Sequence, residues 1–143
     1  MGTPTNKLLI CIIAMLFLLF GALFLHWRYE RDYQRFQAKD MKFYKSVALE
    51  MDSFLKNYPE GLWTNFDKTS PQDISVTNPV RADFRILLDY NPSGLAINSN
   101  RVGVRFSGLA KLEWDIIWMR HVNGGLLVVV KPYKSERPIG IEW

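Results

Sequence analysis

KLEWDIIWMRHVNGGLLVVV, residues 111–130, alternates apolar and polar side chains, turns, and returns as a run of branched aliphatics. Leu112, Trp114, Ile116 and Trp118 fall on one face of a period-two pattern, with Glu113 and Asp115 on the other. Asn123-Gly124-Gly125 supplies the positive-φ backbone that a tight hairpin requires. Leu126 to Val130 is then the returning strand, and the C-terminal half is committed to an antiparallel sheet with one buried face.

Working outward, Leu95 to Asn98 and Val102 to Phe106 read as a second hairpin about the polar pair Ser99-Asn100. Val102, Val104 and Phe106 share a face opposite Arg101 and Arg105. Past residue 130, Pro132, Pro138 and Gly140 leave room for a short edge strand at Ile139 to Trp143. Asn78-Pro79 has the form of a helix start, and Val80, Phe84, Leu87 and Leu88 give an apolar face, so residues 79–90 are expected as a short helix. Phe84, Ile86, Leu88 and Tyr90 also alternate, which suits a strand. Residues 60–78 read as a connection with a short strand at Ile74 to Val76. Before it, Met41, Tyr44, Val47, Met51, Leu55 and Tyr58 recur at steps of three and four, with Lys42, Lys45, Glu50, Asp52 and Lys56 between them. That spacing predicts an amphipathic helix stopped by Pro59 and Glu60-Gly61.

Leu8 to Leu25 holds eighteen residues without a charge, about 27 Å of helix, close to the thickness of bilayer hydrocarbon. Trp27 and Tyr29 follow at the depth of interfacial anchors, with Arg28, Arg31 and Arg35 beside them. The run is too long for the apolar region of a cleaved signal peptide, and bulky Phe20, Leu23 and Phe24 surround Gly21-Ala22. Cys11 follows Ile10 and precedes most of the apolar run, which does not fit a lipoprotein site. Tyr29, Tyr33 and Phe36 extend an aromatic stripe toward the next helix, so one rod to about Asn57 is compatible with the pattern. The expected division is a tail (1–7), a transmembrane helix (8–26), a juxtamembrane amphipathic helix (27–58) and a small domain (59–143). The fold class is α+β, with four antiparallel strands covered by helices on one face.

The net charge of +4 is uneven: residues 1–59 carry eight Lys/Arg against five Asp/Glu, and residues 60–143 ten against nine. A nearly neutral domain does not fit nucleic acid, whereas cations clustered after an apolar run fit a lipid surface. The positive-inside rule places the domain in the cytoplasm. A short N-terminal tail with the single Lys7 is also the form of an uncleaved signal anchor, which exports it. Cys11 is the only cysteine, so the domain has neither a disulfide framework nor a Cys-based zinc site.

Candidate chemistry is sparse. His121 is the one histidine of the domain, and a triad needs it beside a nucleophile such as Ser107 with a carboxylate such as Asp115 behind it. Glu113 and Asp115 are already explained as the polar face of a strand. The aromatic residues are numerous: Trp114 and Trp118 suit the core, while Trp63, Tyr133 and Trp143 are candidates for exposed anchors. Tyr133 and Trp143 mark the first surface to examine for a partner.

A long, half-apolar N-terminal helix followed by a β-sheet resembles the plan of type IV pilins and pseudopilins. That family places a leader glycine directly before the apolar run and a glutamate five residues in. Here Gly2 is followed by Thr3-Pro4-Thr5-Asn6-Lys7, and Leu8 to Leu25 contains no acid. The expectation is a membrane-tethered accessory or interaction module with no catalytic activity, metal or cofactor, whose partners are the bilayer and another protein. A pilin-like assembly subunit is the alternative, and a small membrane-bound hydrolase a third.

Overall fold

A computed structural model describes residues 4–66, 79–107, 112–132 and 134–142. The chain divides into two compact units, residues 1–37 and 38–143. The first is one helix, α1 (Pro4–Gln37). Its most apolar 18-residue window has a mean hydropathy of 3.1, so the helix is long and apolar enough to cross a membrane.

A second helix, α2 (Met41–Asn57), begins at Asp40, whose extended backbone (φ −82°, ψ 172°) and carboxylate cap the first turn by accepting the Phe43 N–H at 2.9 Å. Such a cap contributes about 1 kcal/mol. It also ends the stripe expected over residues 27–58: of the two arrangements open to the sequence, one rod or two helices, the chain forms two. The buried face of α2 is Tyr44, Val47, Ala48, Met51 and Phe54, joined by Glu50 and Asp52. Met41 is exposed, and Phe54 rather than Leu55 reaches the core. Glu50 and Asp52, expected on the solvated face, are buried because each meets donors from elsewhere in the unit.

The sheet has six antiparallel strands in sequence order, not four. They are β1 (Trp63–Asn65), β2 (Gly94–Asn98), β3 (Arg101–Ser107), β4 (Glu113–His121), β5 (Gly124–Lys131) and β6 (Lys134–Ile141). Three-residue β1 is too short to show alternation. In β6, Pro138 and Gly140 mask a strand that begins five residues earlier than the expected edge piece, and proline is tolerated because β6 is an edge. The strand expected at Ile74 to Val76 and the Asn78 cap lie outside the described residues. Residues 79–90 form neither a continuous helix nor a strand: one α turn, α3 (Pro79–Ala82), is followed by a 3-10 turn, Leu87–Tyr90. Both expected hairpins form, with left-handed backbone at Gly124 (φ +138°) rather than at Asn123.

The register puts Leu95 and Ile97, Val102, Val104 and Phe106, Trp114, Ile116 and Trp118, and Leu127 and Val129 on the inner face, all buried, with α2 packed over β2 to β5. Phe84 meets Phe54 and Phe66, and Tyr90 meets Phe43, Phe106 and Trp114, so the 84–90 segment closes one flank of the core. Glu50 holds that segment: its carboxylate accepts the backbone N–H groups of Arg85, Ile86 and Leu87. Burial pushes the Glu50 carboxyl above its usual value against the pull of those three donors. On the opposite flank Arg120, the last inner-face residue of β4, donates to Asp52 through Nε at 2.8 Å and through its terminal nitrogen, and Lys56 adds a 3.1 Å contact. Burial raises the Asp52 carboxyl, but the Arg120 and Lys56 hydrogen bonds and charges together outweigh it and leave the group below its ordinary 3.8.

Gly125 is required by packing: a Cβ there would lie 1.6 Å from Cη2 of Trp118, whose indole is fully buried and has nowhere to move. Gly125→Ala should therefore cost about 1–3 kcal/mol by overpacking, whereas Gly103→Ala, where a Cβ meets nothing within 4 Å, should leave thermal unfolding unchanged or raised. Asp52→Asn should cost about 1–3 kcal/mol near neutral pH. Because the native carboxyl holds its proton less tightly than the unfolded one, this contribution is fully present above 3.8 and fades as pH falls through the lower native value. The stability gap between wild type and variant should thus narrow from pH 6 to pH 2 in denaturant titrations; a constant gap would refute the ion pair.

Candidate binding surface

One helix covers one face of the sheet; the other face is built in rows by the strand register. The central row runs Trp63, Ala96, Gly103, Ile117, Val128 and Pro138 across all six strands. On one side of it lie Asn65, Gly94, Arg105 and Asp115, and on the other Asn98, Arg101 and Met119. Ala96 and Gly103, the smallest side chains of the central row, stand between Trp63 and Ile117. The result is a trough of about 370 Å³ floored by backbone and walled by an indole and a branched aliphatic. Trp63 is 69% exposed.

The charges around the trough are of two kinds. Arg105 is paired: Nε and one terminal nitrogen donate to the two Asp115 oxygens at 3.2 and 3.3 Å, and the other terminal nitrogen lies 3.5 Å from Glu113. The Asp115 hydrogen bonds raise the Arg105 pKa further above its ordinary value, so the guanidinium is held as a cation within a closed cluster. Arg101, four residues away on the same face of β3, makes no ion pair among the described residues. The other edge of the sheet is poorly suited to adding a strand, because Pro138 in β6 has no N–H to donate.

The expected sites are distributed differently. Trp27, Arg28, Tyr29, Arg31 and Arg35 occupy the C-terminal part of α1. There the Arg31 guanidinium sits 5.2 Å from the centroid of the exposed Trp27 ring, Phe24 lies 6.0 Å from that ring, and Asp32 contacts both Arg31 (3.3 Å) and Arg35 (3.5 Å). Tyr133 and Trp143 lie outside the described residues. His121 is exposed at the far end of β4, six residues from Asp115, or about 20 Å along the strand. Ser107 pairs with Glu113 at the opposite end, so the three triad candidates are not brought together. Among the described residues no three of His, Cys, Asp and Glu gather as metal ligands. Of the trough, the sequence pointed to Trp63 alone as a candidate anchor; Gly103, inside an otherwise alternating strand, was the signal that could have located the rest.

No family model, no curated protein and no solved structure matches the chain, so the functional reading comes from this geometry alone.

Proposed function

We propose that this chain is a membrane-anchored interaction module without catalytic activity, which keeps its α+β unit at a bilayer surface and presents the outer sheet face to a protein partner. The anchor reading is supported by the uncharged run from Leu8 to Leu25 and by the exposed collar of Trp27, Arg28, Arg31 and Arg35 beyond it, where an indole and guanidinium groups suit the headgroup layer; Tyr29, expected in that collar, is buried. The interaction reading is carried by one observation: the sheet face left uncovered by α2 holds an exposed tryptophan beside a trough. Exposed aromatics on a rigid strand scaffold are the usual energetic centres of protein interfaces. A pilin-like assembly subunit shares the order of one long apolar helix followed by an antiparallel sheet, but requires removal of a leader.

The full chain should remain in the membrane pellet after alkaline carbonate washing, with an intact mass of about 16.7 kDa that retains residues 8–25. Extracted in mild detergent, it should migrate as a complex larger than its detergent-bound monomer, and Trp63→Ala should reduce that complex to monomer size without altering thermal unfolding. A mass that lacks residues 8–25 would remove the anchor reading, and one that lacks only a segment before Leu8 would favour the pilin-like subunit; a chain that runs as a monomer with and without Trp63 would remove the interaction reading.

A further inference from the structure

We infer that the trough over Gly103 receives a short acidic peptide segment of a partner, with an apolar or aromatic side chain laid over Ala96 and Gly103 between Trp63 and Ile117 and a carboxylate on Arg101. The inference rests on the docking-face reading above and names its chemistry. Gly103 occupies the middle of β3, hydrogen-bonded to strands on both sides, where glycine is costly in entropy and contributes nothing to packing. The other glycines near it have internal reasons: a Cβ at Gly94 would lie 3.2 Å from the Thr64 carbonyl oxygen, and one at Gly125 would strike Trp118. Gly103 has none among the described residues, since its φ is ordinary and a Cβ would meet nothing of them within 4 Å. A strand glycine opening onto empty space on an outer face suits the close approach of a second molecule.

The sign of the ligand follows from the charges. Arg105 is held by two carboxylates, Asp115 and Glu113, which leave an excess negative charge at that end, whereas Arg101 at the other end of β3 has no acid partner among the described residues and faces neutral Asn98 and Met119 across the neighbouring strands. Arg101, open among the described residues at one end of the trough, suits an anionic group, and the uncharged row of Trp63, Ala96, Gly103 and Ile117 suits an apolar group beside it. A single cation is too little for a phosphate backbone, which binds through many. A carboxylate meets guanidinium in a bidentate fork, and the Asn98 side chain can pair with the peptide groups of an extended segment.

The test is selection of a displayed heptapeptide library against the full chain in lipid nanodiscs, followed by affinity measurement of synthetic versions of the enriched sequences. Enriched peptides should place Asp or Glu next to Trp, Phe or Leu. Gly103→Val, which fills the trough with a good strand former, and Arg101→Gln should each weaken binding by about tenfold or more. Exchanging the peptide acid for its amide should weaken binding to wild type and not to Arg101→Gln, a control that does not depend on how Gly103→Val folds. Peptides that lose binding with Gly103→Val yet carry no acid and ignore Arg101→Gln would leave the docking face standing and overturn the acidic specificity. No enrichment, or binding unaffected by Gly103→Val, would overturn both.

Discussion

The Glu50 carboxylate, reached by the N–H groups of Arg85, Ile86 and Leu87, is the junction on which the inner face depends. A helix is about 10 Å wide and six strands at about 4.8 Å span roughly 24 Å, so α2 alone covers only the middle of the sheet. The flank is closed by Phe84, Leu87 and Tyr90, on a segment of single turns too short to hold their shape unaided. Glu50 ties that segment to α2 by satisfying donors at the start of its 3-10 turn, where a negative charge also suits the exposed amide dipoles. Asp52 and Arg120 perform the matching task at the far end of β4. Two buried acids on one helix thus fix what packs against each flank.

With α2 committed to the inner face, the outer face has no cover from the described residues of its own unit. Natural sheets solvate such a face with polar side chains, and here Arg105, Glu113 and Asp115 do this over β3 and β4. The neighbouring row departs from that solution: Trp63, Ala96, Gly103 and Ile117 provide an aromatic wall, a low floor and an aliphatic wall, with no charge among them. The departure motivates the docking reading, because neither backbone conformation nor internal packing requires glycine at position 103.

Much of this architecture was legible in the sequence, and the failures have common physical causes. Period-two alternation around Trp114, Trp118, Val102 and Val104 identified the central strands and their buried face, because those strands are long enough to show the period. β1 escaped because it has three residues, and β6 was read only as a short edge piece from Ile139 because Pro138 and Gly140 hide its earlier part. Glu50 and Asp52 were assigned to solvent because charge alone signals exposure, and their burial depends on partners 35 to 68 residues away. The helix expected at 79–90 gave way to separate turns, since the Glu50 carboxylate takes up amides that a continuous helix would have bonded internally. Asp40 was a readable cap, hidden by an aromatic stripe that ran past it. At the candidate surface the polar rim was visible as alternation, but the trough is a product of register, which brings residues 63, 96, 103 and 117 into one row.

The most direct test of the outer face as the docking surface is photo-crosslinking in intact cells, with a benzoylphenylalanine placed in turn at Trp63, at Ile117 and, on the exposed side of α2, at Leu49. Discrete adducts from positions 63 and 117 and none from 49 are the result this account predicts. Adducts from 49 with none from the outer face would contradict it.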